Sequence, residues 1–159
     1  MMAQKRPAQL DSALVGPSIK YMAKVNTWLY KRTGGRIGGK WRIGAGLRKP
    51  VPTLLLEHRG RKSGKTFTAP LLYLVDGPDI VVVASQGGLP KNPQWFHNVV
   101  ATPDVLVQIG SERRPVRAVV ADEAERARLW PLLLELYADF ENYQAWTERE
   151  IPIVVLKPR

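Results

Sequence analysis

The 159-residue sequence predicts a mainly β fold with some α character, a small barrel of about six strands decorated by helices. Three observations carry that reading. Short apolar or β-branched runs recur between residues 51 and 156, most of them bounded by glycine, proline or Asp-Gly turns. Several of these runs pair off as hairpins, and regular strand–helix–strand alternation is missing, which disfavours a doubly wound sheet. With 45% hydrophobic and 24% charged residues, the chain suits one domain whose core holds without disulfides or a structural metal.

Residues 1–16 are polar and without period, and read as a mobile N-terminal arm. Pro17 then opens a helix in which Tyr21, Met22, Val25, Trp28 and Leu29 recur at three- and four-residue spacing, with Lys20, Lys24, Lys31 and Arg32 between them. Thr33-Gly34-Gly35 ends this basic amphipathic helix, because glycine takes the left-handed conformation that follows a helix without steric cost. Arg36–Pro50 is a glycine-rich basic connector with a short strand near Trp41–Ile43, so that residues 17–50 form one unit and residues 51–159 the barrel.

Thr53–Arg59 and Thr66–Val75 read as strands flanking the turn Gly60–Lys65. Asp76-Gly77-Pro78-Asp79 is a turn, and Ile80–Ser85 is a continuous β-branched run of the kind buried on both faces. After the loop Gln86–Lys91, Asn92 is the expected cap of a short helix Gln94–Ala101 that turns Trp95, Phe96 and Val99 or Val100 inward. Val105–Ile109 and Pro115–Val120 form a hairpin around Gly110-Ser111. Asp122 and Glu125 have capping-box spacing for a helix through Tyr137, with Pro131 a potential kink. An aromatic helix, Phe140–Arg149, and a last strand, Ile151–Leu156, complete the order.

Composition narrows the chemistry. The absence of cysteine excludes thiolate metal sites, iron–sulfur clusters, disulfides and cysteine nucleophiles, and two histidines argue against a histidine-rich metal centre. No run approaches the roughly 18 apolar residues of a membrane span, and Met1–Leu10 lacks a signal-peptide core, so a cytoplasmic location is expected. The formal charge of +10 is unevenly spread. Residues 1–65 hold 15 of the 24 basic residues against only Asp11 and Glu57, a local +13, whereas the rest of the chain sums to −3. A field of that kind recruits anions: nucleic acid, anionic lipid, or a phosphorylated or polycarboxylate small molecule; otherwise it serves only solubility.

Motifs narrow it further. Gly34 to Lys40 has the G-x-x-x-x-G-K spacing of a phosphate loop, but Trp41 stands where a magnesium-binding Ser or Thr is required and a helix precedes it. Gly60-Arg61-Lys62-Ser63-Gly64-Lys65-Thr66 has one residue too few between its glycines. It nonetheless offers Arg61, Lys62, Lys65, the Ser63 hydroxyl and freed backbone N–H groups, either as an anion cradle or as a solvated hairpin tip. His58 and His97 lie in apolar settings that suit structural histidines, and neither a triad nor a patterned carboxylate pair is present. Difficult chemistry, if any, falls to a cofactor. Tyr137, Phe140, Tyr143 and Trp146 follow at intervals of three, as one wall or as ordinary core. Basic charge with aromatics is also a nucleic-acid footprint, but the aromatics are not interleaved with the basic run and no binding-fold signature appears.

Read together, three stretches resemble the deazaflavin-dependent nitroreductases, actinobacterial split-β-barrel oxidoreductases of FMN-binding-like fold that use reduced coenzyme F420. They are Leu54-Leu55-Leu56 through Gly60-Arg61-Lys62-Ser63-Gly64 to Ala69-Pro70-Leu71, Val83-Ala84-Ser85-Gln86-Gly87-Gly88 through Lys91-Asn92-Pro93-Gln94-Trp95-Phe96, and Tyr143-Gln144-Ala145-Trp146-Thr147 through Ile151 to Leu156. The resemblance covers about residues 20 to 158. It implies that Arg61 and Lys62, with Lys65 and Lys91, hold the phosphate region of the coenzyme, and that other N-terminal cations screen its oligoglutamate tail. It further implies that Val83, Ala84, Ser85 and Gln86 line the deazaflavin ring with Trp95 nearby, while Tyr137, Phe140, Tyr143 and Trp146 face the acceptor. The proton that accompanies the hydride would come from Ser85 or, through water, from Tyr143.

Two positions depart from the family pattern. Phe67 stands where an arginine usually continues the anion turn, so that one phosphate contact is missing or is replaced by Lys65. Phe140 stands where members active on bulky nitroimidazoles have tyrosine. The implied acceptor is therefore a flat electron-poor molecule, a menaquinone-like quinone ahead of a nitroaromatic or enone. An FMN-dependent relative of the same fold, and a non-catalytic binder of cofactor, lipid or nucleic acid, are the alternatives. The cationic helix 18–32 suits an anionic membrane surface on the inner face of the plasma membrane, or else packs on the barrel. Monomer and dimer are both compatible with the sequence.

Overall fold

A computed structural model describes residues 15–41 and 49–159, with the side chains of residues 15–20, 22, 23 and 41 left out. The expected arm lies outside the described residues up to position 14, as do residues 42–48 of the connector, whereas residues 15 and 16 already belong to the first helix, so that Pro17 stands in its first turn and does not open it. Eight strands form one curled antiparallel sheet: β1 (Lys40–Trp41), β2 (Val51–Arg59), β3 (Thr66–Leu72), β4 (Leu74–Asp76), β5 (Asp79–Val83), β6 (Asp104–Ile109), β7 (Glu112–Val120) and β8 (Ile153–Pro158). Their order is β1-β2-β6-β7-β8-β5-β4, with β3 also on β2, and every pairing is antiparallel. The small barrel expected from the hairpins is present as a curled half-barrel, with eight strands among the described residues where about six were expected, and with β2–β6 and β8–β5 joining strands distant in sequence.

The strand core explains the continuous apolar runs. Along β5, Ile80 and Val82, followed by Ala84, point into the barrel with Leu54, Leu56, Val105, Val107 and Val116. Val81 and Val83 point the other way, under helices α3 (Glu123–Leu136) and α4 (Asp139–Ala145), against Leu129, Leu133 and Phe140. Strand β8 divides in the same manner, Val154 and Leu156 inward and Ile153 and Val155 outward. A strand buried on both faces has no polar side to alternate with, which is why no period-two pattern is visible there.

Three expectations are corrected. The run Thr66–Val75 is two strands, because β3 pairs with β2 while β4 pairs with β5, and the chain crosses between them at Tyr73, whose N–H donates to Pro52 O at 3.2 Å. Helix α4 stops at Ala145 and not at Arg149, since the Gln144 side chain takes Ile151 N–H (3.0 Å) and donates to Arg149 O (2.8 Å), turning the chain back. Asn92 does not cap helix α2 (Gln94–Ala101); Pro93 occupies that position and Asn92 Oδ1 accepts from Arg149 Nη1 at 2.7 Å. The Asp122 cap is formed as expected, its carboxylate accepting from Glu125 N–H at 2.8 Å, and α3 continues through Pro131.

Helix α1 (Val15–Thr33) carries its spacing-predicted stripe outward: Tyr21, Val25 and Trp28 are 71%, 40% and 61% exposed. Attachment falls to Tyr30, 1% exposed, whose hydroxyl donates to Gln108 O (3.2 Å) and accepts from Gly110 N–H (2.9 Å) at the β6–β7 hairpin. Lys31 Nζ reaches Thr68 Oγ1 at 3.2 Å as a weaker, exposed second contact. Removing the hydroxyl strands two backbone groups at once. Tyr30→Phe is expected to lower stability by about 1 to 3 kcal/mol, measured by denaturant unfolding, with α1 cleaved by protease faster than the barrel.

Candidate functional site

The hairpin tip between β2 and β3 is a closed turn. Gly60 N–H donates to Lys65 O and Gly64 N–H to Gly60 O, both at 2.8 Å, and Lys65 N–H to Ser63 Oγ at 3.2 Å. Gly64 has φ +72 in open space, a conformation that side-chain-bearing residues rarely adopt. Arg61, Lys62 and Lys65 are exposed, and no carboxylate among the described residues pairs with them. Arg61 is fixed by neutral amides of α2, its Nη1 donating to Gln94 Oε1 (2.9 Å) and Asn98 Oδ1 (3.0 Å) and its backbone N–H to the same Asn98 oxygen (3.1 Å).

The other end of Asn98 reaches the buried His58, Nδ2 to Nδ1 at 2.9 Å. Because the amide nitrogen donates, Nδ1 is the acceptor and the ring proton sits on Nε2. Burial pushes the His58 pKa below its usual value, so the ring is neutral. Phe67 stacks on it at 5.8 Å and thus covers the histidine behind the turn.

Beyond β5 the backbone becomes unusual. Gln86, Gly87 and Gly88 are successive residues with positive φ, 45°, 60° and 77°, and Gln86 has a side chain to accommodate there. Gly88 is buried against α4, where an added Cβ would meet Tyr143 O at 2.7 Å and Trp146 Cβ at 3.2 Å. Ala84 is buried in the barrel core with Trp95, Val83 is buried beneath the helices, Ser85 is half-buried, and Gln86 and Lys91 are exposed. Trp95 meets Phe96 edge-on at 6.3 Å.

The four aromatics come together in series. Ring centroids lie 5.1 Å apart for Tyr137–Phe140, 6.3 Å for Phe140–Tyr143 and 5.7 Å for Tyr143–Trp146, and the hydroxyls of Tyr137 and Tyr143 are 3.2 Å apart. Their exposure divides them: Tyr137 and Phe140 are buried in the outer core, whereas Tyr143 and Trp146 are only half-buried. The hairpin tip, the N-terminal turn of α2, loop 84–92 and α4 therefore form a connected strip. Sequence reasoning missed Asn98, Gln94 and Arg149, which tie the strip together; no local spacing marks them.

A shallow hollow between α3 and residues 144–150 has its cation already engaged, Arg126 pairing with Glu150 (2.8 Å) and lying 5.0 Å over the Trp130 ring. Among the described residues no three His, Cys, Asp or Glu side chains group to hold a metal, and no helix is long and apolar enough to cross a membrane.

Comparison with known proteins converges on one family. Residues 22–158 match the family described as F420H(2)-dependent quinone reductase. A Mycobacterium tuberculosis protein named for F420H(2)-dependent quinone reduction is 63% identical over 118 residues, covering 74% of this chain and 99% of the relative. A solved F420-H2 dependent reductase, FDR-A, superposes with TM-score 0.62 at 37% identity over 67% of this chain and 94% of its own. A further structure, described as a domain-swapped dimer, gives TM-score 0.64 at 28% identity over 88% and 99% of the two chains.

The buried imidazole gives the stability a pH dependence. The unfolded chain takes up a proton below about pH 6.5 that folded His58 accepts only at lower pH, so this contribution is fully present above pH 6.5 and declines as the pH falls. Denaturant unfolding from pH 7.5 to 5.5 is expected to show wild type losing up to about 1.4 kcal/mol per pH unit more than His58→Gln. Parallel profiles would mean that His58 is protonated in the fold without penalty.

Proposed function

The chain belongs to the F420H(2)-dependent quinone reductase family, and we propose that its connected strip holds the reduced coenzyme at one end and a quinone at the other. In this reading residues 51–159 are the cofactor-binding barrel and residues 17–50 an appended helix and connector. The observation that carries it is the exposed cationic turn, which has no carboxylate partner among the described residues and is joined through α2 to a distorted backbone loop. That donor set fits the phosphodiester and oligoglutamate of the coenzyme: Arg61 is pre-docked on Gln94 and Asn98, while Lys62, Lys65 and Lys91 are exposed point charges with no ion pair among the described residues.

Bound in reduced form, the coenzyme supplies a hydride, which with one proton converts a quinone to a hydroquinone. The protein's share is to position two flat rings and exclude water. Val83, Ala84, Ser85 and Gln86 form the ring side, with backbone groups presented by the loop and Trp95 backing Ala84. Tyr143 and Trp146 face the acceptor, with Tyr137 and Phe140 behind them as a rigid buried base. Ser85 or Tyr143 delivers the proton, the latter through a hydroxyl already paired with Tyr137.

The test is a fluorescence titration with oxidised F420, with FMN in parallel at the same salt, followed by F420H2-driven reduction of a soluble quinone. Saturable micromolar F420 binding over weak FMN binding is expected. Lys62→Ala should weaken F420 binding by about 1 to 3 kcal/mol, the scale of a lost charge-assisted contact. Equal affinity would remove Lys62 from the site.

A second reading concerns where the acceptor is met. We propose that α1 rests on an anionic lipid surface that supplies a lipophilic quinone such as menaquinone. The exposed stripe Tyr21, Val25 and Trp28, flanked by Lys24, Lys31 and Arg32, supports it. Co-sedimentation should be strong with phosphatidylglycerol-containing vesicles, weak with phosphatidylcholine alone and reduced several-fold by Trp28→Glu. Indifference to lipid charge or to this substitution would leave α1 an ornament of the barrel.

A further inference from the structure

Arg149 makes four side-chain hydrogen bonds, as many as Arg128, but where Arg128 bonds only carboxylates Arg149 bonds only neutral acceptors. It follows α4 in the turn 146–150, held there by Gln144, which bonds its carbonyl, and by Thr147 Oγ1, which accepts from its backbone N–H at 3.4 Å. From that mount the side chain crosses to the loop leaving β5. Nε donates to Leu89 O (2.9 Å), Nη1 to Ala84 O (3.2 Å) and Asn92 Oδ1 (2.7 Å), and Nη2 to Ser85 O (2.8 Å). Four of its five N–H donors are used, all on one loop and all on neutral acceptors.

No carboxylate among the described residues compensates this charge. A partly desolvated guanidinium without an ion partner is a poor choice for stability alone, and burial pulls its pKa below the ordinary value. The loop it grips contains the three consecutive left-handed residues 86–88, and a backbone of that kind persists only where its surroundings over-determine it. The grip begins at Ala84 and ends at Asn92, bracketing the distorted stretch on both sides. The same loop touches α4 through Gly88, beside Tyr143 and Trp146.

We propose that Arg149 is a positioning residue that fixes the separation between the ring-lining loop 84–92 and the aromatic wall Tyr143–Trp146. Its effect on activity rests on the reading of the strip given above; its effect on the loop does not. Lysine has the charge but neither the planar fork nor enough donors, so the conservative replacement separates geometry from charge.

The experiment compares wild type, Arg149→Lys and Asn92→Ala by three readouts: thermal midpoint, hydrogen exchange by mass spectrometry without cofactor, and the dissociation constant for oxidised F420. Arg149→Lys is expected to speed exchange across residues 84–92 tenfold or more while strands β2 and β6 stay protected, and to weaken F420 at least tenfold. Asn92→Ala, which removes one of the four contacts, should shift both in the same direction by a smaller factor. Loop exchange and F420 affinity within twofold of wild type in Arg149→Lys would overturn the proposal. If Arg149→Lys does not fold, an unaltered loop in Asn92→Ala overturns it instead. A wild-type protein that binds no F420, with the loop still loosened by Arg149→Lys, would defeat the cofactor reading and leave the loop-holding role standing.

Discussion

Everything in this fold leans on the pairing of β5 with β8. Four residue pairs from Ile80–Leu156 to Val83–Ile153 lie in register, extended by Ala84 N–H donating to Pro152 O at 2.9 Å, and both faces of the ladder are apolar and covered. Each such side chain contributes roughly 1.5 to 3 kcal/mol on burial, and the ladder serves two cores at once. It also fixes where the functional strip begins. The chain leaves β5 at Ala84 directly into the distorted loop, and it enters β8 directly from the turn that bears Arg149. Loop and guanidinium thus meet because the two strands that carry them are neighbours.

The parts of this arrangement legible in the sequence were those governed by near neighbours. The Asp122–Glu125 cap, the Gly110-Ser111 hairpin and the doubly buried run at Ile80 each depend on residues a few positions apart. The break at Tyr73 is different in kind: the one strand breaker in Thr66–Val75, Pro70, sits inside β3 opposite Leu55 and not at the break, and the division arises because two distant partners, β2 and β5, claim its halves. Arg149 and Asn98 were invisible for the same reason, since their partners lie 57 to 65 and 37 to 40 positions away. The aromatics were recognised as a group from their spacing, but spacing does not distinguish a buried base from a half-open face. Only the seating of Tyr137 and Phe140 under α3 and over Val83 does.

Phe67 shows how an apolar residue is accommodated beside a cationic turn. An arginine at this position would extend the cationic turn; the phenyl ring instead closes over His58, which holds Asn98, which holds Arg61. The phenyl ring carries no charge to the turn and adds a lid to the buried relay that orients Arg61. Charge number and charge placement are separate variables in this turn, where one of the cations has a defined place.

That defined place has an entropic side. A free arginine side chain carries about 2 kcal/mol of rotamer freedom, which an anion must ordinarily remove on arrival. In Arg61 the freedom is already spent at folding, through Gln94, Asn98 and the neutral imidazole behind them. An anion that reaches the turn therefore meets a guanidinium whose direction is set, and the discrimination it experiences is one of shape before it is one of charge.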